Sequence, residues 1–292
     1  MYRFQTLTGL LRGPSNEFKD FFTNRYPNTA AIRSDFTARS GQLQVDGGEA
    51  PAATTGTAFD VMMRLVLDNE HLPVEVEPSS MWRPEYQQTT DLMTAVAHRE
   101  LANADQTDDF YRAVWALAQL TECWRSIHAY VASPLAGLIY GLDEIPVDKV
   151  LALAPADGIR QLRELRALAE EKLLPHLEQP LYIGPRFWTD NFIKADADLI
   201  SNGTLIDLKV MLGTLNKRRE RVPTIPDLAV RQLLGYTLLD SNHDYKLHSV
   251  AIYSARYGDF ITWPLDEYLN TLSVKPRHIF DERVDMEILL GL

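Results

Sequence analysis

The feature that most constrains the fold of this 292-residue chain is a change of character at Pro180. After this residue come four short segments rich in β-branched and aromatic residues, which is typical of strands. They read LYIGPRFW, DADLIS, GTLIDLKVML and LHSVAIYSAR. Between the second and third lies Ser201-Asn202-Gly203, a sequence that favours a tight hairpin turn. The pattern therefore predicts a β-sheet in which these two segments are neighbours.

A helix is predicted between the third and fourth strands. Thr224-Ile-Pro-Asp227 matches a capping box, and Pro226 stands near the first helical position. The helix is expected to run through DLAVRQLLGYTLLD. The following FITWPLDEYLNTLS predicts a last strand and a last helix, closing before Pro276.

The first 180 residues have a different character. Residues 1–50 predict an irregular or partly helical arm, and the small residues of Asp46–Thr57 predict a linker. A short helix is expected after Gly56, and the proline-broken residues 71–86 predict a connector.

Three longer helices are then predicted from the spacing of apolar residues. They are Asp91–Ala104, Asp109 to about Tyr130, and Asp157–Leu174. We therefore expect an α/β fold, with a mixed β-sheet core flanked by helices. The core would comprise the C-terminal third and the helix after Gly56, in one domain over residues 51–292 with a largely helical insertion at about 85–178.

Composition excludes several classes of protein. With 46% hydrophobic and 24% charged residues the chain has ordinary globular usage. A single cysteine cannot form an internal disulfide or an iron–sulfur cluster. No secretory signal or apolar membrane-spanning run is found, so we expect a cytoplasmic protein with no membrane partner.

Charge lowers the expectation of nucleic-acid binding without excluding it. The 29 basic and 40 acidic residues give a formal net charge of −11, whereas nucleic-acid binders are usually basic. A local basic patch or bound cations can still serve an acidic chain. No zinc-ligand spacing, serine-hydrolase motif or nucleotide-binding loop is present, so no nucleotide cofactor is expected.

The residues that carry chemistry lie around the predicted hairpin. Strand alternation places Asp196, Asp198 and Ile200 on one face, and Asp207 and Lys209 on one face of the next strand. The hairpin would bring Asp198, Asp207 and Lys209 to one spot. A divalent cation resolves the repulsion between two carboxylates, and Mg²⁺ prefers hard oxygen ligands. A lysine beside it can hold a water or an oxyanion.

This constellation resembles the signature of the PD-(D/E)XK nuclease superfamily. Asp198 followed by Asp207-Leu208-Lys209 is similar to its Asp…(Asp/Glu)-x-Lys motif. Gln232-Leu-Leu-Gly-Tyr236 is similar to the Gln-x-x-x-Tyr motif of the RecB-type branch, and Gly56-Thr-Ala-Phe-Asp60 to its Gly-x-x-x-His motif, with aspartate for histidine. The resemblance covers about residues 50–68 and 180–260.

The resemblance implies a restriction-endonuclease-like core and hydrolysis of phosphodiester bonds with Mg²⁺ or Mn²⁺. DNA is the substrate that the family resemblance favours. Asp198, Asp207 and the Leu208 carbonyl would hold the cation, with Asp60 as a further ligand. Lys209 would orient the attacking water, while Gln232 and Tyr236 would position Lys209 or the nucleic-acid backbone. Asp196 is a fallback ligand. A lone nuclease domain suggests phage DNA processing, mobile elements or antiphage defence.

Basic residues follow the Asp-x-Lys strand and would suit a phosphate backbone. The candidates for nucleic-acid contact are Lys217, Arg218, Arg219, Arg221, Arg231 and Arg256. Each of them is equally compatible with a solvated loop or an ordinary ion pair.

Other interpretations of the same residues remain open. Asp60 could cap its helix, and Asp207 and Lys209 could form a surface ion pair of little energetic value. The chain could then be a non-catalytic nucleic-acid-binding or interaction module on a nuclease-like scaffold, with the helical insertion as a partner-binding lobe. An acidic decoy of DNA is a third possibility. The oligomeric state is not predicted.

Overall fold

The fold is described from a computed structural model, which covers residues 5–69, 71–72, 83–104, 107–187, 189 and 192–292. Most of the connector predicted at 71–86 lies outside these residues. The helices within this range are α1 (Leu7–Arg12), α2 (Glu17–Arg25), α3 (Thr29–Arg39), α4 (Ala52–Leu67), α5 (Pro84–Leu101), α6 (Asp109–Arg125), α7 (Ile127–Ala132), α8 (Pro134–Ile139), α9 (Val147–Leu151), α10 (Ala156–Lys172), α11 (Asp227–Leu239), α12 (Leu265–Leu272) and α13 (Ile279–Leu290).

The strands are short, and most of them follow residue 180. They are β1 (Gln5–Thr6), β2 (Leu181–Ile183), β3 (Ile193–Lys194), β4 (Leu199–Ser201), β5 (Thr204–Lys209), β6 (Thr214–Leu215), β7 (Arg221–Val222), β8 (Ser249–Ser254) and β9 (Asp259–Pro264). The chain divides into two compact units, one made of Met1–Gln44 with Lys172–Leu292 and the other of Val45–Glu171.

The first unit contains a mixed five-stranded sheet in the order β2-β4-β5-β8-β9. Only the β5–β8 pair is parallel within this sheet, and the other three neighbouring pairs are antiparallel. Asn202 and Gly203 join β4 to β5 with φ angles of 43° and 75°. Positive φ at both central residues is the requirement of the hairpin turn predicted there. The predicted mixed α/β sheet flanked by helices is confirmed.

Helix α11 connects β5 to its parallel neighbour β8 and buries its apolar side. Val230, Leu233 and Leu234 of α11 form one core with Leu205 and Ile252 of the sheet. The predicted capping box is wrong, because α11 begins at Asp227 with Pro226 as the N-cap and no side-chain cap. The Asp227 carboxylate instead accepts hydrogen bonds from Thr29 and Arg33 of α3.

The N-terminal residues, expected to be an irregular or partly helical arm, form α1–α3 within this unit. Phe18 and Phe22 are four positions apart on α2, and both are buried in the sheet's core with Phe36 of α3. Gly235 of α11 allows α1 to approach, since a Cβ there would lie 2.8 Å from a methyl carbon of Leu7.

The C-terminal end differs from prediction, because α13 follows the helix that was expected to be the last. Its boundaries carry recognisable signals: His278 caps the first turn, acidic residues stand near the N-terminus, and Gly291 ends it in the left-handed conformation with φ 77°. The alternation of apolar and acidic residues obscured the helical period.

The second unit is helical within the described residues. Helix α6 is buried along most of its length and packs on α4 and α5. α4 begins at Ala52, so the linker predicted over Asp46–Thr57 is shorter than expected. The helix predicted from Asp109 to about Tyr130 ends at Arg125, because Ser126 turns the chain and caps α7 by accepting from the Ala129 N–H. No helix in the described ranges is long and apolar enough to cross a membrane.

The helical unit contains a carboxylate whose titration should be visible in its stability. Asp157 accepts hydrogen bonds from the Ala50 N–H at 3.0 Å, Arg160 at 2.7 Å and Gln161 at 2.8 Å. The first of these contributes most, and together they lower the pKa of Asp157 from 3.8 to about 2. The stability contributed by the carboxylate form is present above the unfolded pKa and is lost as pH falls through about 2.

We therefore expect the urea-unfolding free energy to decrease between pH 4 and pH 2, and to decrease less in Asp157→Asn. Asp143→Asn, at an exposed position, is the control and should follow the wild type. Identical pH profiles for Asp157→Asn and the wild type would contradict the assignment.

Candidate active site

The β4–β5 hairpin brings Asp198 beside Asp207. Leu199 pairs with Ile206, so one further antiparallel step places Asp198 opposite Asp207 on the same face. β4 begins at Leu199, three residues later than the strand predicted from DADLIS, which begins at Asp196. The Asp198 carboxylate accepts a hydrogen bond of 2.6 Å from the Leu208 N–H. This hydrogen bond links Asp198, the residue before β4, to the C-terminal end of β5.

Asp207 and Lys209 form a close ion pair on that face. The Lys209 Nζ lies 2.7 Å from Oδ1 and 2.6 Å from Oδ2 of Asp207. Asp207 is only 4% exposed, whereas the Lys209 side chain is 22% exposed. Within the described part of the chain, Oδ2 is buried and receives no hydrogen bond of good geometry. The pair is therefore not the solvated surface pair considered above.

Gln232 and Tyr236 are one turn apart on α11 and are joined by a hydrogen bond. Gln232 Nε2 donates to the Tyr236 hydroxyl at 2.8 Å and to Thr8 Oγ1 at 2.9 Å. Sequence reasoning missed Thr8, because its role depends on the packing of α1 against α11. No local signal in the sequence could have identified it.

The charge environment of Tyr236 connects this helix to the carboxylates. Its pKa is raised well above the ordinary value, first by burial and then by the negative charges of Asp198 and Asp207. Phe187 stacks on its ring with centroids 5.9 Å apart. The phenol is therefore protonated at neutral pH. Tyr236 thus bonds to Gln232 and is affected by the charges of Asp198 and Asp207, which connects residues predicted from two motifs.

A divalent cation fits the donors that face each other here. The buried carboxylate of Asp207 faces that of Asp198 across the hairpin, and carboxylate oxygens are the ligands that Mg²⁺ and Mn²⁺ prefer. The Asp207 Oδ2 atom has Lys209 Nζ at 2.6 Å as its partner, so a cation would share this oxygen with the lysine. The structure's described ranges hold no group of three His, Cys, Asp or Glu placed to bind a metal. The remaining ligands would be the Leu208 carbonyl and water, and Mg²⁺ commonly retains several waters.

Two predicted metal ligands have other partners. Asp60 lies on α4 in the helical unit, where its carboxylate accepts from Arg64 Nε at 3.0 Å. It therefore neither caps nor begins the helix, which starts eight residues earlier at Ala52. Asp196 pairs as an isolated bridge with Arg186, whose Nε lies 3.8 Å from its carboxylate.

The predicted nucleic-acid contacts divide into exposed and buried positions. Lys217, Arg218, Arg219 and Arg221 are all exposed and belong to the β6–β7 hairpin that follows β5. Arg231 is half-buried beside Gln232. Arg256 is 2% exposed, so its predicted contact with phosphate is not supported. Arg256 closely follows β8, within the predicted segment LHSVAIYSAR, and its side chain is one of the largest that are fully buried.

Comparisons with protein-family models, with curated proteins and with solved structures find no match to this chain.

Proposed function

We propose that this chain is a metal-dependent nuclease with a RecB-like active site, hydrolysing phosphodiester bonds in DNA. The observation that carries the proposal is the grouping of Asp198, Asp207 and Lys209 on the hairpin, together with the effect of both carboxylate charges on Tyr236, the partner of Gln232. Buried carboxylates are costly unless they are paired or bind a cation, and a fold that needed only packing has little use for them.

Asp198, Asp207 and the Leu208 carbonyl would hold Mg²⁺ or Mn²⁺. When bound, such a cation supplies a Lewis acid that stabilises charge on phosphate oxygens and makes water more acidic.

The other residues would orient the reacting groups and stabilise the charge of the transition state. Lys209 is the more exposed member of its ion pair, so its ammonium group can face both Asp207 and a substrate phosphate or water. Its charge would steady the negative charge of the transition state. The protonated Tyr236 phenol can donate a hydrogen bond, and Gln232, held by Thr8, fixes the direction of that phenol.

The β6–β7 hairpin would supply the positive surface that an acidic chain needs. Its four exposed basic residues begin at Lys217, eight positions after Lys209, and suit a phosphate backbone. We place the activity in the cytoplasm, with phage DNA processing, mobile elements or antiphage defence as the setting.

The test is cleavage of linear, circular and single-stranded DNA with EDTA, Mg²⁺ or Mn²⁺. We expect wild-type protein to cut only with metal and Asp207→Ala not to cut. Asp244→Ala, at an exposed aspartate, is the control and should cut normally. Metal-independent cutting, or undiminished cutting by Asp207→Ala, would contradict the proposal.

A second candidate is a non-catalytic binding or interaction module on the same scaffold, with the helical region as its partner-binding lobe. Two observations favour it: Asp207 already has a cationic partner in Lys209, and Asp60 has one in Arg64. The two candidates predict different effects of metal on the melting temperature. A competent site binds the cation in the folded state only, so that added cation raises the melting temperature. No shift across millimolar Mg²⁺ and Mn²⁺ would favour the second candidate.

A further inference from the structure

Helix α13 carries two charged residues on its buried side, beside the core residue Met286. Glu282 is 3% exposed and Arg283 is 2% exposed. Glu282 pairs with Arg25 at 3.1 Å and with Arg277, and Arg283 donates to the Thr237 carbonyl at 2.9 Å. The ion pairs thus hold the inner side of the helix against its own unit.

The outer side of α13 carries an apolar stripe. Phe280, Val284 and Ile288 are 55%, 39% and 67% exposed, and their spacing of four residues places them on one side of the helix. Isolated exposed apolar residues are ordinary, but a continuous stripe on a helix marks a contact surface.

Acidic residues border this stripe on both edges. By the 3.6-residue period, Asp281 and Asp285 follow one edge and Glu287 the other. Asp285 pairs with Arg25. Asp281 and Glu287 make no ion pair with any residue in the described ranges, and Asp281 is exposed. The surface therefore combines apolar contact with a negative border.

This charge pattern disfavours a second copy of the chain as the occupant. Antiparallel pairing about a two-fold axis brings the edge with Asp281 against itself. Parallel pairing brings that edge against Glu287. Acidic residues face acidic residues in both arrangements, which is destabilising. A complementary occupant needs lysine or arginine at both borders.

We propose that the outer side of α13 binds an amphipathic helix of a partner protein, whose apolar stripe is bordered by lysine and arginine. Such a helix would bury Phe280, Val284 and Ile288 and neutralise Asp281 and Glu287. This surface is independent of the proposed nuclease activity.

The test uses two synthetic helical peptides with the same leucine stripe, one bordered by lysines and the other by glutamates. Fluorescence anisotropy with full-length protein should show the basic peptide binding at least about tenfold more tightly, and less tightly at high salt. Val284→Ser/Ile288→Ser should weaken that binding about tenfold or more. The control Ile127→Ser/Val131→Ser alters two exposed apolar residues of α7 and should leave it unchanged.

Charge reversal provides the stricter test. Asp281→Lys/Glu287→Lys should reverse the preference, so that the acidic peptide binds more tightly. Equal binding of the two peptides, or binding insensitive to the Val284 and Ile288 substitutions, would overturn the proposal. So would self-association of the protein that those serine substitutions abolish, because the occupant would then be a second copy.

Discussion

Lys209→Met should abolish metal-dependent DNA cleavage, with a loss of at least about a hundredfold. The substitution keeps the length of the side chain but removes the only ammonium group that contacts Asp207 among the described residues. Under the proposed mechanism this removes the charge that steadies the transition state and orients water. Cleavage is measured as initial rate on linear DNA in Mg²⁺ and Mn²⁺.

The same variant should show a second effect that a purely structural lysine would not. Breaking a buried ion pair costs about 3–5 kcal/mol, and we expect the lower end because the Lys209 side chain is 22% exposed. A divalent cation can replace the lost positive charge beside Asp207. The melting temperature of Lys209→Met should therefore be low in EDTA and rise with Mg²⁺ or Mn²⁺ by more than that of wild type.

Lys275→Met, at an exposed position of the same unit, is the matched control for both measurements. It should cut DNA and melt like wild type. A Lys209→Met protein that cuts at the normal rate would contradict its proposed role. A melting temperature lowered equally with and without metal would contradict the proposed cation site.

The largest expected effect on stability is that of Arg283→Met. Arg283 and Asp240 are 2% and 1% exposed in their side chains, and their charged groups lie 3.3 Å apart. Burial raises the pKa of Asp240 and lowers that of Arg283, so the pair itself contributes little net stability. Removing the arginine takes away the ion-pair partner of this buried carboxylate, which keeps the Tyr245 N–H at 3.4 Å, and should cost about 3–5 kcal/mol.

The loss of unfolding free energy in Arg283→Met should depend on pH, and the direction of that dependence can be predicted. Without its partner, Asp240 has a folded pKa raised further above the unfolded value of about 3.9. A raised carboxyl pKa means that stability falls as pH rises through it. The deficit in urea-unfolding free energy should therefore be smaller at pH 4 than at pH 7.

Two further variants distinguish this explanation from a general loss of packing. Adding Asp240→Asn to Arg283→Met should recover part of the stability, because a neutral amide avoids the buried charge. Arg112→Met breaks a partly exposed pair with Asp109 at 3.7 Å and should cost less than about 1 kcal/mol. A pH-independent deficit, or no recovery in the double variant, would contradict the account.

The parts of the fold that were predictable carry local signals. Asn202-Gly203 requires a tight hairpin, and β5, α11 and β8 have lengths and residue types that fit only one secondary structure. The pairing of Asp198 with Asp207 follows from that turn, since the register of a hairpin is determined by its loop. The sequence also predicted that Gln232 and Tyr236 lie on one face of α11.

The parts that were not predictable depend on distant contacts. Thr8 reaches Gln232 only because Gly235 lets α1 approach α11 closely. Asp227 resembles a capping residue in sequence, but Thr29 and Arg33 of α3 use its carboxylate. Arg256 looked like a surface cation because nothing local indicates that its side chain is buried. α13 was missed because apolar and acidic residues alternate along it, and because Glu282 and Arg283 are buried while Phe280 and Ile288 are exposed.

The central claim is that Asp198 and Asp207 act as one catalytic unit. The most direct measurement compares kcat/KM for DNA cleavage in Mn²⁺ between wild type, Asp198→Asn, Asp207→Asn and the double variant. Residues that act as a unit are strongly non-additive, so each single variant should lose at least about a hundredfold and the double variant should lose no more. Wild-type kcat/KM in either single variant, or losses that simply add in the double variant, would contradict the claim.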